Sequence, residues 1–395
     1  MYSHDSWGLG HLRRSLAIAA SLVKRDSATD VLLVTGSPCA TQFELPNHCD
    51  VLKLPAVSKD AGGAYVTRSL SGELSNTIEM RRQLITQAYR SFAPHVVVVD
   101  HQLIGLHGEA LDMLKLARQD HCLLIYGLRD ILDSPDVVER AWAGEEQRWA
   151  MHSAYDQIMV YGDPRVFDPR DQYPSLRNLH HKIYFTGYIA QSLKLNDHSP
   201  VPSLRKKVLV TVGGGEDGYE RIEAYIDALA LSPANWRTEI VTGPLMPEEG
   251  VNALSKRVFS LGLSEDVTIS RFIPDMQQKL QSSDAVVSMA GYNSCAEIML
   301  SKVPAILMPR QEPRQEQLIR ALRLEQLGLA RCLRHIDPQD LRRLVNAALE
   351  SGPVSAQAPA MDGLEQFGWA LEKARDEHNR KSVSTSSPVQ VVANQ

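Results

Sequence analysis

The sequence predicts an α/β protein built of two doubly wound domains that face each other across a cleft. Three observations carry this expectation. Short β-rich runs alternate with helix-patterned segments in both halves, the alternation is interrupted once by a polar, Pro-containing stretch, and 395 residues exceed one ordinary domain of roughly 100–200 residues. In the first half Val31–Thr35, Val96–Asp100, Leu123–Tyr126 and Gln157–Tyr161 suit buried parallel strands, and residues 11–25, 73–92 and 107–119 carry helical spacing. A doubly wound domain should open on a buried strand, yet only three residues precede His4, so the first strand is expected to be clipped. The stretch Asn196–Ser203 reads as an interdomain linker, which puts the first domain at 1–192.

The alternation then restarts. Lys207–Gly213, Thr238–Thr242, Val267–Ser270, Ala285–Met289 and Ala305–Met308 are the strand candidates of a second domain at 205–355, with a helix over about 217–230. A helix at 360–380 is expected to cross back to the first domain, and the mostly polar residues 381–395 to form a disordered tail.

The formal charge of −5 argues against a general nucleic-acid binder, which would carry a strongly basic face. Basic pairs such as Arg13–Arg14 read as solvated faces or phosphate contacts. Five scattered cysteines without Cys-x-x-Cys spacing indicate neither a disulfide framework nor a zinc site, and a cytoplasmic protein is expected. No apolar run approaches the ~18 residues of a membrane span, and the start has no signal-peptide pattern.

The segment 284–317 is the most telling. After the strand Ala285–Met289, Gly291 allows a tight turn and Asn293 or Ser294 can cap a helix running through Ser301. The N–H groups and positive dipole end of that helix would face the strand's carboxyl edge, where a diphosphate binds. Glu297, one turn further in, is placed to accept hydrogen bonds from ribose hydroxyls. The plain alternative is an ordinary strand–turn–helix with a solvated Glu297. Upstream, Gly213, Gly214 and Gly215 follow a strand and let backbone approach a phosphate or sugar. Gly213-x-Gly215-x-x-Gly218 also matches a dinucleotide fingerprint, but no acidic residue ends the next strand and no lysine follows the glycines, so neither an NAD site nor a P-loop is supported. Between Arg271 and Met276, the backbone of Ile273 can read a base.

In the first half, Gly8 and Gly10 permit close approach of a ligand to backbone, and His11 opens a helix at the mouth of the cleft. A histidine there suits a general base; the alternative is a helix-start histidine without chemistry. Asp100 and His101, ending a very apolar strand, are the rival base pair. Arg129 and Asp130 read as loop charges that either contact an acceptor or stay solvated, and Trp7 either stacks on a sugar or anchors the first strand.

In order over about 210–330, the glycines 213–215, then Phe272–Ile273 with Asp275–Met276, then Ala290–Gly291 with Ser294 and Glu297–Ile298, then Pro304–Pro309 with Glu316–Gln317, resemble the carboxyl half of family 28 glycosyltransferases of a MurG-like branch. The amino half resembles the family mainly at Gly8–His11. The resemblance implies a GT-B fold of two Rossmann-like domains, with acceptor on the first and nucleotide sugar on the second. It implies that Gly213, Gly214 and Gly215 approach the donor phosphates, that Ile273 reads uracil, and that Gly291, Asn293 and Ser294 hold the diphosphate. Glu297 would take the ribose hydroxyls, and Glu316 and Gln317, joined by Gln311, the donor sugar's hydroxyls. His11 would act near the acceptor. Two departures bear on the donor: Gly215 stands where the family has serine, and Glu316 where it has glutamine.

The expected activity is an inverting, metal-independent transfer of a sugar from a nucleoside-diphosphate sugar, UDP-linked as in UDP-N-acetylglucosamine, to a hydroxyl of a small-molecule, glycan or lipid-linked acceptor. No metal or cofactor is expected, since no Asp-x-Asp or histidine-rich metal spacing occurs and a helix end can offset the leaving-group charge. A peripheral membrane contact stays open. The alternatives are a UDP-sugar hydrolase or 2-epimerase of the same fold, and a non-catalytic nucleotide-sugar-binding protein.

Overall fold

The computed structural model describes residues 1–3, 10–40, 43–59, 64–190 and 205–385. Trp7, Gly8, the expected linker and the residues after 385 lie outside them. The first domain runs β1 (Tyr2–Ser3), α1 (Gly10–Arg25), β2 (Val31–Thr35), β3 (Cys49–Lys53), a small antiparallel hairpin of β4 (Val57–Lys59) and β5 (Tyr65–Thr67), then α2 (Leu74–Phe92) and β6 (Val96–Asp100). It continues with α3 (Leu111–Gln119), β7 (Leu123–Arg129), α4 (Pro135–Trp142), α5 (Glu145–Trp149), β8 (Gln157–Tyr161), α6 (Pro169–Gln172) and β9 (Ile183–Phe185). Its seven-stranded sheet has the order β3-β2-β1-β6-β7-β8-β9, parallel throughout.

The second domain comprises β10 (Lys206–Thr211), α7 (Tyr219–Ala230), β11 (Trp236–Val241), α8 (Glu248–Ser260), β12 (Val267–Ser270), α9 (Met276–Gln281) and β13 (Ala285–Ser288). It ends with α10 (Tyr292–Ser301), β14 (Ala305–Leu307), α11 (Glu316–Gln326), β15 (Arg331–Cys332) and α12 (Pro338–Ser351). Its six strands, also parallel, are ordered β12-β11-β10-β13-β14-β15. In each sheet the order reverses beside the first strand, between β1 and β6 and between β10 and β13. Crevices at such reversals, outside the strands' carboxyl ends, are where doubly wound sheets bind ligands.

The strands form because their residues are buried on both faces: Val97, Val98 and Val99 in β6, and Val286 and Val287 in β13, are almost wholly inaccessible. The first strand is two residues long, Tyr2 and Ser3, each paired to the five-residue strands β2 and β6. The edge strand β3 went unread in the sequence, because its half-exposed, polar-interrupted residues do not form an apolar run.

One apolar cluster is common to both domains. It joins Ile125, Met159 and Tyr161 of the first to Val286, Ile298 and Leu307 of the second, with Phe367 and Ala370 of the last helix, α13 (Gly363–Thr385). That helix packs on α1, β7 and β8, and Arg25 of α1 pairs with Glu372 at 2.5 Å while lying 4.2 Å over the Trp369 ring. The return crossing is therefore present, but helix continues to Thr385, past the expected start of a disordered tail at 381. Elongating a formed helix fixes one residue per hydrogen bond gained, so residues 381–385 extend it readily.

Candidate functional site

α1 and β6 meet at the carboxyl edge of the first sheet. His11, second residue of α1, places Nδ1 2.5 Å from Oδ2 of Asp100, the last residue of β6. Arg14, one helical turn on, donates to both Asp100 oxygens at 2.8 Å and is 3% exposed. Burial alone would raise the Asp100 carboxyl, yet Arg14 and His11 together hold it well below the usual carboxylate range. Nδ1 of His11 also lies 2.8 Å from Nη2 of Arg14, which only donates; the ionised Asp100 oxygen, which only accepts, is the closer partner and assigns the proton to Nδ1, leaving the imidazole lone pair at Nε2. Burial pushes His11 down to about 4 despite the pull of Asp100, leaving the ring neutral at physiological pH.

His101 does not form the base pair with Asp100 that adjacency suggests. Its backbone is left-handed, at φ 70°, and its N–H donates to the carbonyl of Gly127, while the Asp100 carboxylate is taken by His11 and Arg14. The His101 ring instead lies 4.7 Å from that of His11. Arg14, expected on a solvated face or at a phosphate contact, is instead buried on the dyad; its i, i+3 relation to His11 on a helix is the signal that places both on one face.

The second domain meets this group at α10. Its N-cap is Gly291, in extended conformation with no side-chain cap, rather than Asn293 or Ser294. Tyr292 is 5% exposed and accepts a hydrogen bond from the Ile189 N–H at 3.0 Å, which seats the first helical residue against the other domain and starts the helix earlier. Asn293, freed from capping, donates to the Gly10 carbonyl at 3.3 Å. Ser294 lies in the same first turn. Glu297 accepts from Arg13 of α1 at 2.9 Å, and burial raises its carboxyl above the usual value.

The three glycines after β10 differ in role. Gly213, at φ 69°, faces open space. Gly214 has the Leu245 side chain beside it, and a Cβ on Gly215, at φ 96°, would stand 2.2 Å from the carbonyl oxygen of Thr242. Glycine replaces the expected serine at 215 because backbone packs there. Ile273, half-buried, lies in the β12–α9 loop at the same sheet edge, just ahead of Asp275, which caps α9 through the Gln278 N–H at 2.9 Å.

Past β14, Arg310 organises the remaining candidates. It pairs with Glu316 at 2.6 Å and with Asp217 at 2.9 Å, and its backbone N–H donates to Gln317 at 3.0 Å. The second carboxylate oxygen of Glu316 is buried without a hydrogen-bond partner among the described residues. Gln311 is drawn away, donating to the Arg334 carbonyl.

Asp130 is not a solvated loop charge. β7 continues to Arg129, and Asp130 is fully buried in an ion pair at 2.7 Å with Arg320 of the second domain, also accepting from Tyr188 at 3.0 Å. Arg320 donates in addition to the Ala290 carbonyl at 2.8 Å, immediately before the α10 cap. Sequence reading passed over Arg320, although it stands one turn after Glu316 on the same helix face.

Residues 208–373 match the glycosyltransferase family 28 C-terminal domain. The chain is 33% identical over 105 residues to a UDP-N-acetylglucosamine–N-acetylmuramyl-(pentapeptide) pyrophosphoryl-undecaprenol N-acetylglucosamine transferase of Leuconostoc citreum, covering 26% of this chain and 28% of the relative's length. To the protein of that name from Erythrobacter litoralis it is 24% identical over 387 residues, 91% of this chain and 88% of the relative. The crystal structure of Acinetobacter baumannii MurG superposes with a TM-score of 0.57 at 13% identity, over 94% of this chain and 98% of that one. Among the described residues no helix is long and apolar enough to cross a membrane. The second half of the chain thus carries a glycosyltransferase family 28 C-terminal domain, and the chain as a whole shares the two-domain GT-B fold of MurG.

Proposed function

We propose that this protein transfers a sugar from a UDP-linked donor to an acceptor hydroxyl with inversion and without a metal ion. The observation that carries the reading is the His11–Asp100 pair standing one residue from the Gly10 contact with Asn293, so that a neutral imidazole and an uncapped helix start face one cleft. His11, oriented by Asp100, takes the hydroxyl proton at Nε2 as the oxygen attacks the anomeric carbon. The departing diphosphate meets the N–H groups of Tyr292, Asn293 and Ser294 and the positive end of α10, which offset its charge. Base and leaving group stand on opposite walls, and a single displacement between them inverts the anomeric centre. Ribose hydroxyls donate to Glu297 in exchange for Arg13, and the donor sugar lies toward Glu316 and Gln317. The names of the relatives favour UDP-N-acetylglucosamine as donor.

Calorimetric titration of UDP in the presence of EDTA tests the donor site. Micromolar binding is expected, weakened at least about tenfold in Glu297→Ala, the loss of one charge-assisted hydrogen bond. Absence of UDP binding would sink the reading. UDP release from donor alone, unaffected by any acceptor, would instead make the protein a hydrolase.

A further inference from the structure

Tyr292 stands where the two walls of the cleft touch. It is the first residue of α10, so its N–H belongs to the uncapped helix start, while its side chain is buried against the other domain. There the Arg14 guanidinium lies over two tyrosine rings, its carbon 5.3 Å from the centre of Tyr292 and 5.2 Å from that of Tyr161, the last residue of β8. The Tyr292 ring has a fixed seat. Tyr188 stacks on it at 5.6 Å, the Ile189 N–H donates to its hydroxyl, and Arg320 donates to the carbonyl of Ala290 two residues before it. Arg14 in turn donates to both oxygens of Asp100, the carboxylate that orients His11. A guanidinium withdrawn from water is attracted to the negative face of an aromatic ring, and its planar fork keeps a carboxylate in one orientation. Buried contacts therefore run without a break from the start of α10 through the Tyr292 ring, Arg14 and Asp100 to the imidazole.

We propose that Tyr292 is a positioning residue for the base: by covering Arg14 it keeps the guanidinium on Asp100, so that His11 is aligned for proton uptake only while the start of α10 is seated against the first domain. The inference rests on the transfer reading above, which makes His11 the base and α10 the seat of the leaving group. The groups that bear on the His11 charge are Asp100 of β6, which favours proton uptake, and Arg14 of α1 and Arg129 of β7, which with burial oppose it; the His101 ring packs beside it. Releasing Arg14 removes one opposing cation and leaves the carboxylate to His11 alone, so the ring gains a proton at higher pH.

The test is an NMR pH titration of the full chain labelled in its histidine rings, with the His11 signal identified by its loss in His11→Gln. In wild type the ring should begin to protonate only below about pH 5. Tyr292→Leu should raise its midpoint from about 4 toward the ordinary 6.5, and Tyr292→Phe, which keeps the ring, should restore most of the wild-type behaviour. Arg14→Gln should raise the midpoint as well, and adding Tyr292→Leu to it should change little further, because the ring acts through the guanidinium. Tyr292→Met replaces Tyr292→Leu if the latter does not fold. A wild-type midpoint already near 6.5, no rise in Tyr292→Leu or in Arg14→Gln, a rise in Tyr292→Phe as large as in Tyr292→Leu, or additive rises in the double variant would each overturn the assignment. If wild type binds no UDP while Tyr292→Leu still moves the His11 midpoint, the transfer reading falls and the coupling of the ring to the imidazole stands.

Discussion

At the scale of single residues, the dyad is where chemistry and fold are hardest to separate. Asp100→Asn keeps the shape but can donate to Nδ1, which turns the imidazole to the tautomer with its proton at Nε2. It should lower turnover about 10²–10⁴-fold while leaving UDP affinity unchanged, measured by steady-state kinetics and calorimetry. The pH dependence has a definite sign. With its pKa lowered to about 4, His11 loses its lone pair only as the pH falls through that value, so kcat/KM should be level above about pH 5 and decline below it. An acidic limb near 6.5 would identify a solvated histidine instead. Position along the chain made His11 and Asp100 legible as cleft residues, because one opens a helix and the other closes an apolar strand. Their pairing was not legible. His101 is adjacent in sequence, but the left-handed turn at its own φ ends the strand and leaves Asp100 to an α1 side chain 89 positions away.

Elements show the same division. The alternation of apolar runs and helical spacing places nearly every central strand, whereas the edge strands β3 and β15 leave almost no pattern, being half-exposed or only two residues long. The start of α10 was misplaced because local capping preference favours Asn293 or Ser294, while the actual start is imposed by Tyr292 under the other domain. The glycine loop permits a contrast within three residues. Gly215→Ala puts a Cβ against the Thr242 carbonyl at a strained φ and should cost at least about 2 kcal/mol of stability in urea unfolding. Gly213→Ala, facing open space, should cost only about 1 kcal/mol, and its larger effect should be on UDP affinity. Equal destabilisation by the two would mean that the loop relaxes around either methyl.

For the molecule as a whole, Asp130 and Arg320 form the fully buried ionic contact between the domains. Removing one partner strands the other, so Asp130→Asn should lower stability by about 3–5 kcal/mol, and pairing Asp130→Leu with Arg320→Leu should recover most of it. Urea unfolding of the single and double variants measures the coupling; additive losses would show that the charges do not compensate each other. None of this was visible in the sequence, where two residues 190 positions apart carry no sign of meeting. The chain passes between the domains twice, after Ala190 and again before Gly363, whose helix packs on α1. Topologically the second domain is therefore an insertion within the first. A chimera that borrows donor specificity from a relative has to exchange it as a cassette with two junctions, because a single junction near Arg205 would give the first domain a closing helix evolved for another parent's α1.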